Sequence, residues 1–562
     1  MTISEPAVAS RKVRGEATGG EAVVERLRAN GVDTLFMVPG IQLDWVVDAL
    51  AREPAIRSIV PRHEQAVSYM ADGYARATGR HGVGMVVPGP GVLNAGAGLS
   101  TAYACNSPVV LLAGQIHSGA IGKGYGNLHE LKNQSAVLDA LTKWSTLVGS
   151  RDALEPAIDE AFVRATEGRP RPVAVEIPYD LLIAKAAAAP VPPRDRTLLP
   201  APDEEVLDAA ARLLDGSELP VLYVGGGAQD AAAEVRSLAE RLGAPVVASD
   251  NGRGCLPDAH PLSFTALGGR AIFAKADVVV VIGSRFMDVM TPEPSWDQDG
   301  KRWIYVNIDA ADAAPPRRPD VFLQADAATA LAELRSRVHS RVALDAEKAQ
   351  RVKRWQREAI DATGVLARYV TAIRNALPDD GIFVNELTQI GYLARVAFEV
   401  RRPRTLIGPG YQGTLGYSLP TALGAAVGGG GRRVFAISGD GGFGWSYQEL
   451  ATARRYNLPV TLVVFNDGHF GNVRAIQQKT FGREFAVDLE NPEFQTLAEA
   501  FSVPYAKAAD PGALERVLCD SVATAGPVLV EVPVGEMSSP WPLLRLKPMG
   551  GADDGDPPSD LL

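Results

Sequence analysis

Two short patterns in the last third of the chain are built to hold an anion through a metal. Gly439-Asp440-Gly441-Gly442 ends the apolar run Arg433–Ser438, and Asn466-Asp467-Gly468 ends a second run, Val460–Phe465. Glycines let backbone amides come close to phosphate oxygens, and a helix starting there adds unpaired N–H groups. A carboxylate at Asp440, an amide oxygen at Asn466 and a backbone carbonyl at Gly468 are hard oxygen ligands of the kind Mg2+ takes. Only 24 residues separate Gly441 from Asn466. That length suits one helical crossover, Tyr447–Tyr456, and so places the two patterns at neighbouring strand ends. Gly439, Gly441 and Gly442 would cradle a diphosphate. His469 and Phe470, next along the chain, are placed to reach the same point. Each pattern alone is an ordinary strand–turn–helix junction; the pair at this spacing reads as a diphosphate clamp.

A second candidate lies far away in sequence. Glu64 opens a helix running from His63 through Ala77, just after an apparent strand at Ile56–Val60. An acid in a first helical turn is favoured by the helix dipole alone. Beside a diphosphate site it has a further use. Thiamine diphosphate must lose a weakly acidic proton from C2, and a partly dehydrated carboxyl group at its aminopyrimidine promotes that transfer. His63 reads as structural.

The residues carrying these candidates resemble the acetohydroxyacid synthase-like family of thiamine diphosphate enzymes. The matching segments are RHEQAVSYMADGYARATGR at 62–80, PGPGVLN at 88–94, GTLGYSLPTALGAAVG at 413–428, GDGGF and FNDGHFG. The resemblance covers about residues 20–540 and is specific for the cofactor rather than the substrate. It implies thiamine diphosphate with Mg2+, and Glu64 as the activating acid. It puts Asn94 near the pyrimidine, Leu415 in place of the bulky residue that bends the cofactor, and the Gly413 carbonyl opposite the 4′-amino group. Pro39 and Gly40 join the cofactor-binding set. A homodimer or homotetramer with its active site at the subunit interface is implied as well. The leading expectation is decarboxylation of a 2-oxo acid such as pyruvate, with ligation of the acyl unit to a second carbonyl compound. The alternatives are a non-ligating decarboxylase, a C–C lyase including the 2-hydroxyacyl-CoA type, and a catalytically silent cofactor-binding subunit.

The chain departs from acetolactate synthases in two places. Where they carry a phenylalanine–glutamine pair, this chain has GKGYGNLHELKNQ at 122–134. Asn127, His129 and Gln134 are the catalytic candidates there; an imidazole could orient a carbonyl or move protons, and a surface-loop histidine is the plain alternative. The run Val224-Gly225-Gly226-Gly227 suits either a nucleotide phosphate or a tight turn. FAD stays open, because Thr265–Lys275 is shorter than the flavin-binding form and lacks Met-His-Gly; within this central domain no GxGxxG occurs.

These residues need strand ends to stand on, and the chain supplies them. Apolar runs such as Thr34–Met37, Gly82–Val87, Pro220–Val224, Asp277–Ile282 and Val460–Phe465 alternate with helical stretches. The pattern predicts an α/β protein of three consecutive doubly wound, mostly parallel-sheet domains: pyrimidine-binding, central Rossmann-like and diphosphate-binding. The expected limits are a disordered 1–19, domains at 20–186, 205–340 and 361–545, linkers at 187–204 and 341–360, and an acidic, disordered tail at 546–562. A net charge of -10 over 562 residues excludes a nucleic-acid partner and leaves small-molecule carbonyl substrates. The acidic C-terminal end weakly disfavours CoA. Cys105, Cys255 and Cys519 form no CxxC and read as reduced thiols of a cytoplasmic protein. No signal peptide or membrane span is expected.

Overall fold

The computed structural model describes residues 16–187, 202–339, 344–548 and 555–562. It contains three six-stranded sheets, each with all its strands parallel. Their strands are apolar on both faces, as sheets covered by helices on both sides require. The first sheet runs Arg57–Ile59, Thr34–Met37, Gly82–Val86, Val109–Gln115, Val173–Pro178, Trp144–Leu147 from edge to edge. The last runs Leu406–Ile407, Ile382–Val384, Val434–Gly439, Val460–Asn466, Val528–Pro533, Tyr505–Lys507. Within each domain, these two sheets share one strand order, second-first-third-fourth-sixth-fifth. The central sheet differs, running third-second-first-fourth-fifth-sixth. In the outer domains the topological switch therefore falls between the first and third strands, where open α/β sheets present their ligand crevice.

The first and last domains share one hydrophobic core, which includes Phe36, Met70, Leu419, Leu423 and Leu462. Its centre is the crossing of helices Glu64–Thr78 and Ser418–Gly428. Gly73 and Gly424 set the closeness of this crossing. A Cβ at Gly73 would lie 2.1 Å from the Thr421 carbonyl oxygen, and one at Gly424 2.0 Å from that of Met70.

Two expectations about the chain ends change, and the second linker proves helical. Glu16–Thr18 forms a strand antiparallel to Lys185–Ala187 instead of being disordered. Thr18 then caps helix Gly19–Ala29 in a reciprocal box with Glu21. Within the expected second linker, Ala346–Asp361 is a helix capped by Asp345. In the acidic tail, Leu546, Leu561 and Leu562 pack against the central core, and the Arg270 guanidinium donates to the Gly555 carbonyl at 2.9 Å. Residues 1–15, 188–201, 340–343 and 549–554 lie outside the described part. Among the described residues no helix is long and apolar enough to cross a membrane.

Candidate active site

Strand Val434–Gly439 ends at Gly439, and a short helix, Asp440–Phe443, starts at the next residue. Asp440 is 2% exposed. Burial pushes its carboxyl pKa up, the charge of Asp467 pushes the same way, and a hydrogen bond from Asn491 opposes them. Strand Val460–Asn466 lies alongside and places Asn466 at the neighbouring strand end. Asn466 Nδ2 donates to Glu531 Oε1 at 3.0 Å, which turns its Oδ1 the other way. That Oδ1 and Asp440 Oδ2 both accept from Asn491 Nδ2, at 3.2 and 2.6 Å. Two hard oxygens thus converge on one partly positive group, and the donor set suits a divalent cation. The Gly468 amide donates to Asp440 Oδ2 at 3.0 Å, and its carbonyl accepts from Leu489 N at 2.8 Å, leaving that oxygen one lone pair. Phe470 lies over Gly441, where a Cβ would come 2.8 Å from the ring. His469 is committed to its own loop, with Nδ1 2.6 Å from the Asp467 carbonyl oxygen and Nε2 3.1 Å from Asp488.

The other half of the site stands at the strand ends of the first domain. His63 caps helix Glu64–Thr78 by accepting from Gln65 N at 3.1 Å, and so fixes Glu64 in the first turn. Glu64 Oε2 accepts from Asn94 Nδ2 at 2.9 Å. Asn94 rides on helix Pro90–Cys105, which follows the third strand of that sheet. Gly40 is extended, and a Cβ there would lie 2.3 Å from Val87 Cγ1, so the loop carrying Pro39 and Gly40 rests on the same strand end.

Two buried glutamates that the sequence reading missed support these parts, and the first of them links the two domains. Glu449 is fully buried and accepts from Arg62 N with both carboxylate oxygens at 3.1 Å, and from Thr452 Oγ1 at 2.6 Å. Burial pushes its carboxyl up to about 7, against those donors and the His63 amide. It ties the segment after Asp440 to the two residues before Glu64. Gln65 adds a bond to the Trp445 carbonyl at 2.9 Å. Glu386, just past the first strand of the last domain, is 1% exposed and accepts from Gly416 N at 2.9 Å and from the Ser438 hydroxyl. Burial raises its pKa to about 7 as well. The loop with Gly413 and Leu415 is tied to the first domain, where Tyr69 Oη donates to Thr414 Oγ1 at 3.1 Å. Leu415 remains 39% exposed.

The catalytic candidates of the 122–134 segment stand in three different settings. Gln134 is buried and spent: its Oε1 accepts from Gly89 N at 2.8 Å, and its Nε2 donates to Gly114 O at 2.9 Å and Glu176 Oε2 at 3.0 Å. It therefore positions the Pro88–Pro90 turn. Asn127 is exposed and closes a turn with Glu130, whose amide donates to the Asn127 carbonyl at 2.9 Å. His129 adopts φ 68°, its backbone pressed on Gly89, with Nδ1 buried and unpartnered. Such a strained residue with an open ring nitrogen is the candidate with chemistry left to offer. In the central domain, Gly227 N donates to Gly283 O at 3.0 Å, and a Cβ on Gly225 would meet that same oxygen at 2.4 Å. These glycines are engaged in packing two loops together. A cavity of about 370 Å³, lined by Lys143, Arg169, Arg171 and Asp309 among others, opens between the first and central domains.

Three parallel α/β domains, with an acid at one crevice and two converging side-chain oxygens at the other, are the arrangement of an enzyme class that binds a diphosphate cofactor. Comparison with known proteins gives the same class. Residues 17–137 match the N-terminal TPP binding domain of thiamine pyrophosphate enzymes, 207–334 the central domain and 388–532 the C-terminal TPP binding domain. A probable 2-ketoarginine decarboxylase of Pseudomonas aeruginosa is 34% identical, over 92% of this chain and 94% of its own. The large subunit of acetolactate synthase isozyme 1 of Escherichia coli is 30% identical, over 96% and 97%. A chloroplastic acetolactate synthase of Nicotiana tabacum is 31% identical, over 95% and 84%. The chain belongs to the thiamine pyrophosphate enzymes, in their acetohydroxyacid synthase-like family.

Proposed function

We propose that the chain decarboxylates a 2-oxo acid and joins the acyl unit to a second carbonyl compound, with thiamine diphosphate and Mg2+ as cofactors. The observation that carries the cofactor part is the convergence of Asp440 Oδ2 and Asn466 Oδ1 on one point at neighbouring strand ends. When bound, thiamine diphosphate supplies a carbon nucleophile and an electron sink that lets carbon dioxide leave. Asp440, Asn466 and the Gly468 carbonyl would hold the metal; Gly439, Gly441 and Gly442 would face the diphosphate. Glu64, steadied by Asn94, would hold and return the proton at the aminopyrimidine. Leu93, beside the Asn94 that bonds Glu64, and Leu128, beside His129, are 52% and 62% exposed. That surface suits an acyl chain, and it suits closure by a second copy of the chain.

A second reading keeps the decarboxylation and ends in protonation of the acyl unit. His129 favours it, because a ring nitrogen without a partner is free to carry a proton. The first relative named above, a probable decarboxylase, points the same way. A panel of 2-oxo acids, each with and without aldehyde or ketone acceptors, separates the readings by mass spectrometry. 2-Hydroxy ketones support ligation, aldehydes alone support protonation, and the absence of carbon dioxide release from every acid tested refutes both.

A further inference from the structure

We propose that Glu386 is a positioning residue that locks the two cofactor-facing loops of the last domain in register. It sits at that domain's topological switch, immediately beyond strand Ile382–Val384, flanked by the end of strand Val434–Gly439. One side of its carboxyl group takes the amides that open helix Ser418–Gly428, from Gly416 at 2.9 Å and from Tyr417 and Ser418. This fixes the turn carrying Gly413 and Leu415. The other side takes the Ser438 hydroxyl, one residue before Gly439. Ser438 Oγ also contacts the Gly439 carbonyl at 3.0 Å. A Cβ at Gly442 would lie 2.6 Å from Glu386 Oε2, so the loop after Asp440 rests directly on this carboxyl group. A fully buried carboxyl is expensive to keep unless its bonds are all made. Here those bonds join the two segments that would grip opposite ends of the same cofactor.

The proposal rests on the cofactor site at Asp440 and Asn466. Its test uses full-length protein, thiamine diphosphate and Mg2+, with three variants. Glu386→Ala removes both links. Glu386→Gln keeps them, because its oxygen still accepts the amides and its N–H2 donates to Ser438 Oγ. Ser438→Ala cuts one link. In Glu386→Ala, cofactor affinity by calorimetry should fall about 10-fold or more, the scale of one or two lost hydrogen bonds. At saturating cofactor, C2 proton exchange should also slow. Glu386→Gln should recover both to within about 3-fold of wild type, less than one hydrogen bond's worth, and Ser438→Ala should fall between. A Glu386→Ala protein that melts earlier without cofactor, yet binds and exchanges like wild type, would overturn the proposal. So would a Gln variant as impaired as Ala. If Glu386→Ala does not fold, wild-type affinity and exchange in Ser438→Ala overturn it. Wild-type protein that takes up no thiamine diphosphate would refute the cofactor reading, and the proposal with it.

Discussion

At the scale of single residues, charge placement explains the site. Asp440 is buried beside Asp467 with its carboxyl pKa raised, so the apo protein holds an unfavourable charge that a cation would relieve. Asp440→Ala should therefore leave apo stability unchanged or higher, while cofactor affinity at fixed Mg2+ falls by about 10- to 100-fold. Thermal shift with and without cofactor measures both, and an unaltered cofactor-induced rise refutes the assignment. Chelation of Mg2+ should remove the same rise in wild type. Glu449 gives a pH prediction. Its carboxyl is raised from 4.5 to about 7 in the fold. Its contribution to stability is then fully present below pH 4.5 and is lost as pH rises through about 7. Glu449→Gln should flatten the fall in unfolding free energy from urea titrations across that interval, by on the order of 3 kcal/mol in total. Glu64, Asp440 and Asn466 stood out in the sequence because each ends a strand or opens a helix, the last two beside glycines. Asn491 was not, since it comes from a loop with no pattern of its own. Glu386 carried a signal, an acid just past a first strand, but its role depends on a sheet order that no local spacing reveals.

Among the elements, the crossing of Glu64–Thr78 with Ser418–Gly428 is the mechanical centre. Gly424 permits it, because no side chain fits against the Met70 carbonyl oxygen. Gly424→Val should destabilise the fold by about 3 kcal/mol or more, as overpacking of a tight core does. The loss would appear as a lower melting temperature in the apo protein; wild-type stability would contradict the packing account. The sequence reading placed most strands to within a residue or two, since continuous apolar runs between glycines leave little choice. It named no strand at Trp144–Leu147, Val173–Pro178, Ser263–Phe264, Val321–Gln324, Leu406–Ile407 or Tyr505–Lys507, and it missed two further features, the strand Glu16–Thr18 and the docked tail. Both are held by long-range partners, Lys185–Ala187 and the central core, and carry little apolar periodicity of their own.

For the whole molecule, the sequence predicted three sheets, but the shared strand order of the outer two emerges only in three dimensions. Helix Gly471–Phe481 buries none of its residues in the single chain, and Phe481 and Phe485 are 68% and 83% exposed. Apolar surface of that kind is where the expected homodimer or homotetramer would pack. Phe481→Asp with Phe485→Asp should shift the protein toward monomer in sedimentation and lower activity in parallel; an unchanged assembly would refute this use of the helix. The central claim is that residues nearly 400 positions apart build one thiamine diphosphate site, with Glu64 as its acid. Deuterium exchange at C2 of the bound cofactor tests it most directly. In Glu64→Gln with cofactor and Mg2+ saturating, exchange should slow by about 100-fold or more, in line with loss of a positioned acid, while binding and melting temperature persist. Exchange at the wild-type rate in that variant would contradict the account.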